Sequence, residues 1–274
     1  MKKNAILLLS TTLLLLLTLG CSNNTSNHQE NTNTSAKDTS SLLIDDNSSQ
    51  IENNQTTKIL YLISKANEIK NYTIDVEILE TNQTAISMAT LTEREGNYIH
   101  IIAPTWYPND NTQPTVITEG YYEIKNENSV ILYSKYGDQD WQKQERDYSS
   151  NLEHSVEDSF NVFSSIPCSK NIIEAITEAP FLDGFYHFED MTYDSGYNGL
   201  LVYCKDIKVS STKNSVSFIL RVSGQNNPDT YMVQKYTLSK IGETIVSVPN
   251  EITSLQNETL KGAEINIKNS AKKQ

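Results

Sequence analysis

The chain has 274 residues, 22 Lys and Arg against 34 Asp and Glu, and a formal net charge of −12 at pH 7. Such an acidic surface excludes a nucleic-acid partner and any polybasic grip on anionic lipid. Apolar residues make up 37% of the chain and are unevenly spread, so their order carries most of the information.

The chain opens with Lys2 and Lys3 and then runs apolar from Ala5 to Leu19. This is a positive n-region and an h-region, too short to span a hydrocarbon core of ~30 Å as a permanent helix. Leu17-Thr18-Leu19-Gly20-Cys21 resembles the bacterial lipobox, with Thr18 where that pattern more often has leucine. The resemblance implies that residues 1–20 are a lipoprotein signal peptide and that Cys21 carries a diacylglyceryl group. It also implies a chain anchored by its N-terminal lipid to the outer, extracytoplasmic face of the bacterial cell membrane. Two acyl chains hold a protein there stably where one does not. The alternative is an ordinary signal peptide followed by an incidental cysteine.

Residues 21–56 are dominated by Asn, Ser and Thr, which cannot bury enough apolar surface to offset the entropy of ordering. They read as a disordered tether with a reach on the order of 30 Å. Its apolar cluster, Leu42-Leu43-Ile44, is either a docking segment or a solvated patch.

Residues 57–270 are a length that one domain can fill. Thr57 to Lys70 places Ile59, Leu60, Leu62, Ile63, Ala66 and Ile69 on one broad helical face. The period then changes to two over Tyr72–Ile78, Ile86–Thr92 and Asn97–Ala103, predicting three antiparallel strands. Pro104, Pro108 and Pro114 predict irregular chain carrying Trp106 and Tyr107, either as a binding lip or folded back over the core. Val116–Ile124 and Ser129–Tyr136 predict a hairpin, with Trp141 on the next strand. Helical character returns from Tyr148 to Ala179 and ends at Pro180. Strands are predicted over Gly184–Tyr193, Gly199–Val209, Ser215–Ser223 and Thr230–Leu238, with a short closing strand at Thr244–Val248.

Cys168 and Cys204 remain, in a chain whose address favours oxidised thiols; they are either a disulfide or two separate buried thiols. The histidines, His28, His100, His154 and His187, are scattered, and neither CxxC nor HxxxH spacing occurs, so no metal and no cofactor is expected. Glu93 with Glu95, or Asp183 with Glu189 and Asp190, are acids without the context of a catalytic pair, and GxSxG is absent; the chain does not read as an enzyme.

One helix, a meander of long strands, a helical insertion, more strands and the ending Ser239-Lys240-Ile241-Gly242-Glu243-Thr244-Ile245-Val246-Ser247-Val248-Pro249-Asn250-Glu251-Ile252 together resemble the LolA-like family of extracytoplasmic lipoproteins. That family includes LolB-like acceptors and mycobacterial lipid-binding lipoproteins. Tyr72-Thr73-Ile74-Asp75-Val76 after the first helix and Asp140-Trp141-Gln142-Lys143 after the hairpin add to the resemblance, which spans most of 57–255. It implies an α+β fold: a strongly curved antiparallel half-barrel covered by helices, with an apolar cavity between them that takes a lipid or an acylated protein. The candidate lining is Ile74, Val76, Met88, Leu91, Ile99, Ile101, Val130, Leu132, Phe160 and Phe163; the competing reading has these residues fill a solid core. A non-catalytic, membrane-anchored binding module is therefore expected. The alternative is an envelope module that meets a protein or glycan through its polar strand faces and its 15 tyrosines.

Overall fold

A computed structural model of the chain describes residues 47–255 apart from 109, 111, 148–154 and 195–200. The stretch expected to be a signal peptide, Cys21, the expected tether as far as residue 46, His28 and His154 lie outside the described residues.

Helix α1, Asn47–Ile69, starts ten residues inside the stretch expected to be a tether. The correction has a physical basis at its N-terminal half: Gln55 bonds Ser211, and Thr56 Oγ1 lies 2.5 Å from the Tyr186 hydroxyl. Polar side chains with partners on the sheet thus extend a helix that apolar spacing alone begins only at Thr57. Its other half buries Ile59, Leu62, Ile63 and Ala66 at the spacing of one helical face. Lys70, at φ 51°, ends it in the left-handed region.

The strands are β1 (Asn71–Thr81), β2 (Ile86–Ser87), β3 (Leu91–Glu95), β4 (Tyr98–Trp106), β5 (Val116–Asn126), β6 (Ser129–Tyr136), β7 (Gln142–Asp147), β8 (Phe181–Leu182), β9 (Phe185–Phe188), β10 (Met191–Asp194), β11 (Leu201–Ser211), β12 (Val216–Gly224) and β13 (Asn227–Ser239). Between β7 and β8 come α2 (Val156–Ser159), α3 (Val162–Ser165) and α4 (Ser169–Ala175). The strands form one antiparallel sheet in the order β7-β6-β5-β4-β3-β1-β13-β12-β11-β9-β8, with β10 on β11 and β2 on β4. It does not close into a barrel. One edge is the polar strand β7; the other is the short hairpin β8–β9, turned by Asp183-Gly184 with both φ angles positive. Bulges between Ile78 and Glu80 and between Lys205 and Lys208 bend the long strands.

Three predicted boundaries are corrected. The stretch Ile86–Thr92 is two strands, because the chain breaks step at Met88–Thr90. β4 runs on through Pro104 to Trp106, so Trp106 ends a strand and is not part of a loop. Pro104 is tolerated because its ring nitrogen faces the gap between β3, whose pairing ends at Ile102, and β2, whose pairing starts at Thr105. Thr244–Val248 adds no strand. Side chains hold it instead: Asn71 Oδ1 accepts from Thr244 N at 2.8 Å and Glu95 Oε2 accepts from Val246 N at 2.9 Å.

The main core lies under α1 and α4 and holds Ile59, Ile63, Ile172, Ile207, Val209, Phe218 and Leu238. A second, Ile99, Tyr122, Val130, Leu132, Val156 and Phe160, lies under α2. On the opposite face Ile252, in the short helix at 250–255 that follows Pro249, covers Tyr121, Ile131 and Tyr133.

Candidate ligand-binding cavity

Between the two cores the helices stand off the sheet and leave a cavity of about 250 Å³. Its floor comes from six strands: Ile74 and Val76 of β1, Thr92 of β3, Ile99 and Ile101 of β4, Val202 of β11, Val222 of β12, and Gln234 and Tyr236 of β13. Period-two alternation turns these residues to the helical side. The roof is Ser159, Phe160, Ser164, Ser165 and Pro167, from α2, α3 and the turn after it. Met88, Ala89 and Tyr193 complete the wall.

Six of the ten residues expected to line a cavity do so: Ile74, Val76, Met88, Ile99, Ile101 and Phe160. The other four are corrected. Leu91 pairs with Ile102 and faces the opposite side; it has the opposite parity to Met88, and Thr92, at the parity of Met88, lines the cavity in its place. Val130 and Leu132 face the helices but are closed over in the second core, and Phe163 packs against the main core. Val202, Val222, Gln234 and Tyr236 were overlooked although they sit in predicted strands. Their parity with Cys204, Leu220 and Leu238 was the available signal, masked at Gln234 by a polar residue in an inward position.

The cavity is not wholly apolar. Gln234 is buried; it accepts the Tyr236 hydroxyl at 2.7 Å and places Nε2 3.3 Å from Met88 Sδ. Burial pushes the Tyr236 phenol far above its ordinary range, so it stays a neutral donor. The roof hydroxyls are turned to backbone: Ser164 and Ser165 both donate to Asn161 O, at 2.8 and 3.1 Å.

One buried charge pins the roof. Arg94 is 2% exposed and donates from Nε to Gly96 O at 3.0 Å, from Nη1 to Phe160 O at 2.5 Å and from Nη2 to Glu157 Oε2 at 2.6 Å. Tyr72, whose phenol burial pushes up to about 12 against the pull of Arg94, donates to the same Phe160 carbonyl at 2.8 Å. Burial alone pushes the Glu157 carboxyl up, but bonds from Arg94 and Lys70 outweigh it and hold the group below its ordinary value. The strand β3 therefore grips α2 through a carbonyl that the helix cannot use internally.

Cys168 and Cys204 are brought together: both are buried free thiols, with Sγ atoms 2.8 Å apart. Cys168, at φ 57°, precedes α4 and follows Pro167 of the cavity roof, while Cys204 lies two residues along β11 from Val202 of the floor. The desolvated, hydrogen-bonded Cys204 thiol is held far above its ordinary value, with the bond from Cys168 the largest cause.

The sequence's candidate acids do not converge. Glu93 bonds His100 Nδ1 at 2.9 Å on the face away from the cavity, Glu95 straps Val246, Asp190 lies 3.6 Å from Lys205, and Asp183 is in the β8–β9 turn. The other ring nitrogen of His100 lies 3.0 Å from Glu119 Oε1, and its ring stacks on Tyr121 at 4.3 Å. Among the described residues no group of three or more His, Cys, Asp or Glu is arranged to hold a metal ion, and no helix is long and apolar enough to cross a membrane.

No protein-family model and no curated protein matches the chain. Among solved structures it is similar to a redesigned β-barrel, mFAP1, bound to DFHBI, at 8% identity over 64% of this chain and 98% of that one, with a TM-score of 0.18. It is similar in the same way to EF1p2_mFAP2b bound to DFHBI, at 8% identity over 65% and 98%, with a TM-score of 0.19. Likeness at these TM-scores defines neither fold nor ligand.

Proposed function

We propose that this protein is a non-catalytic, membrane-anchored extracytoplasmic lipoprotein whose folded domain takes an apolar ligand between sheet and helices in the LolA-like manner. The observation that carries the reading is the cavity itself, which persists between two filled cores. Natural interiors leave few voids larger than a water, and an apolar cavity of about 150 Å³ is enough to bind benzene. A volume of about 250 Å³ suits one acyl chain segment or a small ring system better than a bulky multi-chain lipid. The lipobox-like Leu17–Cys21 supports the anchor, and the Asn/Ser/Thr-rich stretch behind it gives the domain reach along one membrane.

The test uses delipidated protein bearing Cys21→Ser and the neutral fluorophore N-phenyl-1-naphthylamine. Saturable fluorescence enhancement at one site is expected, lost in Val222→Trp and, independently, in Ile101→Phe, each of which fills the cavity. No saturable binding by the parent protein would sink the proposal.

A further inference from the structure

The sheet is parted beside the cavity. β1 pairs with β3 only over Asn71–Asp75, followed by one bond from Val76 N to Thr90 O at 2.8 Å. Beyond it β1 stays paired with β13 as far as Thr81, while β2 pairs with β4. Between the second half of β1 and β2 lies an open hollow of about 470 Å³, walled by Val76, Ile78, Ile86, Trp106 and Pro108. Val76 is a wall of both hollows. Leu79, at the bulge on the rim, is 47% exposed.

The outer end of the slit has a charge. Glu80 is the carboxylate in its lining, and none of the lining residues is cationic. The Tyr231 hydroxyl donates to Glu80, and Arg221 lies 4.6 Å over the Tyr231 ring with its Nε 3.2 Å from Asp206 Oδ2. A carboxylate near a tryptophan ring on an acidic protein suits a cation on both electrostatic and cation–π grounds. Along β1 the path from Glu80 to Val76 is about 13 Å at strand rise, so an extended chain reaches both ends and a compact apolar molecule does not.

We propose that the slit is the entrance to the cavity and that its occupant is a single-chain amphiphile with a cationic head group, the chain threaded past Val76 and the head held by Glu80 and Trp106. This rests on the cavity reading above.

The test uses the Cys21→Ser protein carrying Trp141→Phe, which leaves Trp106 as the tryptophan reporter. Dodecyltrimethylammonium, dodecyl maltoside and dodecanoate, each below its micelle concentration, compete with N-phenyl-1-naphthylamine while Trp106 emission is followed. The cation displaces the fluorophore and shifts Trp106 to the blue, and it binds about two- to fivefold more tightly than the neutral amphiphile, as an exposed ion pair allows; Glu80→Gln removes that difference. Ile78→Trp, which touches the slit and not the cavity, slows fluorophore uptake in stopped flow while its final occupancy is kept. Fluorophore binding with a silent Trp106, no head-group preference and unaltered uptake in Ile78→Trp overturns this proposal and leaves the cavity reading standing. Failure of the fluorophore to bind at all overturns both.

Discussion

Burying a guanidinium costs several kcal/mol unless its donors are met, and Arg94 meets that cost by holding Gly96, Phe160 and Glu157 at once. Arg94→Met removes the charge at similar length but leaves Glu157 paired only with Lys70. It is expected to cost about 2 kcal/mol, read as a lower denaturation midpoint with little change in slope; an unchanged midpoint would show that the grip on α2 is idle. The same contact sets a pH dependence. Glu157 has a folded value below its ordinary one, so its contribution is complete above the ordinary carboxylate value of about 4.3 and is lost as pH falls through the depressed folded value. Acid titration of wild type against Glu157→Gln should show the difference in stability between them shrinking over that window. A constant gap through it would refute the assignment.

At the scale of elements, Cys168 and Cys204 join the turn before α4 to the inner strand β11. Thiols 2.8 Å apart across 36 residues of chain are expected to oxidise outside the cytoplasm, and a loop of that length adds about 4 kcal/mol in the chain-entropy model. Thiol counting on denatured protein purified without reductant should find neither residue free, and reductant or Cys204→Ser should lower the melting temperature. Two titratable thiols in that preparation would leave the pair as packing alone. The elements themselves were legible wherever one period ruled: β1, β5, β6, β12 and β13 follow alternation of apolar and polar residues. Legibility failed where a different force decides. Polar anchors to the sheet extend α1 back to Asn47, and side-chain bonds from Asn71 and Glu95 hold Thr244–Val248 without a ladder. The cavity was half legible for the same reason. Alternation tells which side a residue faces, but whether Val130 meets a void or a neighbour depends on helices whose standoff no local pattern encodes.

At the scale of the whole molecule, the proposed function joins an N-terminal lipid anchor and a tether to a domain with a hollow between sheet and helices. A module so tied to one leaflet would present or accept a ligand near that membrane and would not ferry it freely. Cys21→Ser should move the protein from the membrane fraction to the soluble extracytoplasmic fraction, and mass spectrometry of the wild-type N-terminal peptide should find a diacylglyceryl-modified Cys21; an unmodified peptide would remove the anchor. Where a bound chain lies decides whether the hollow is a binding site. A crystal of the Cys21→Ser protein grown with a bromine-terminated alkyl chain locates that chain by anomalous scattering. A bromine peak is expected between Phe160 of the roof and Val222 of the floor. A cavity without a peak, with the chain instead against Tyr98 or Ile117 on the outside of the sheet, would contradict it.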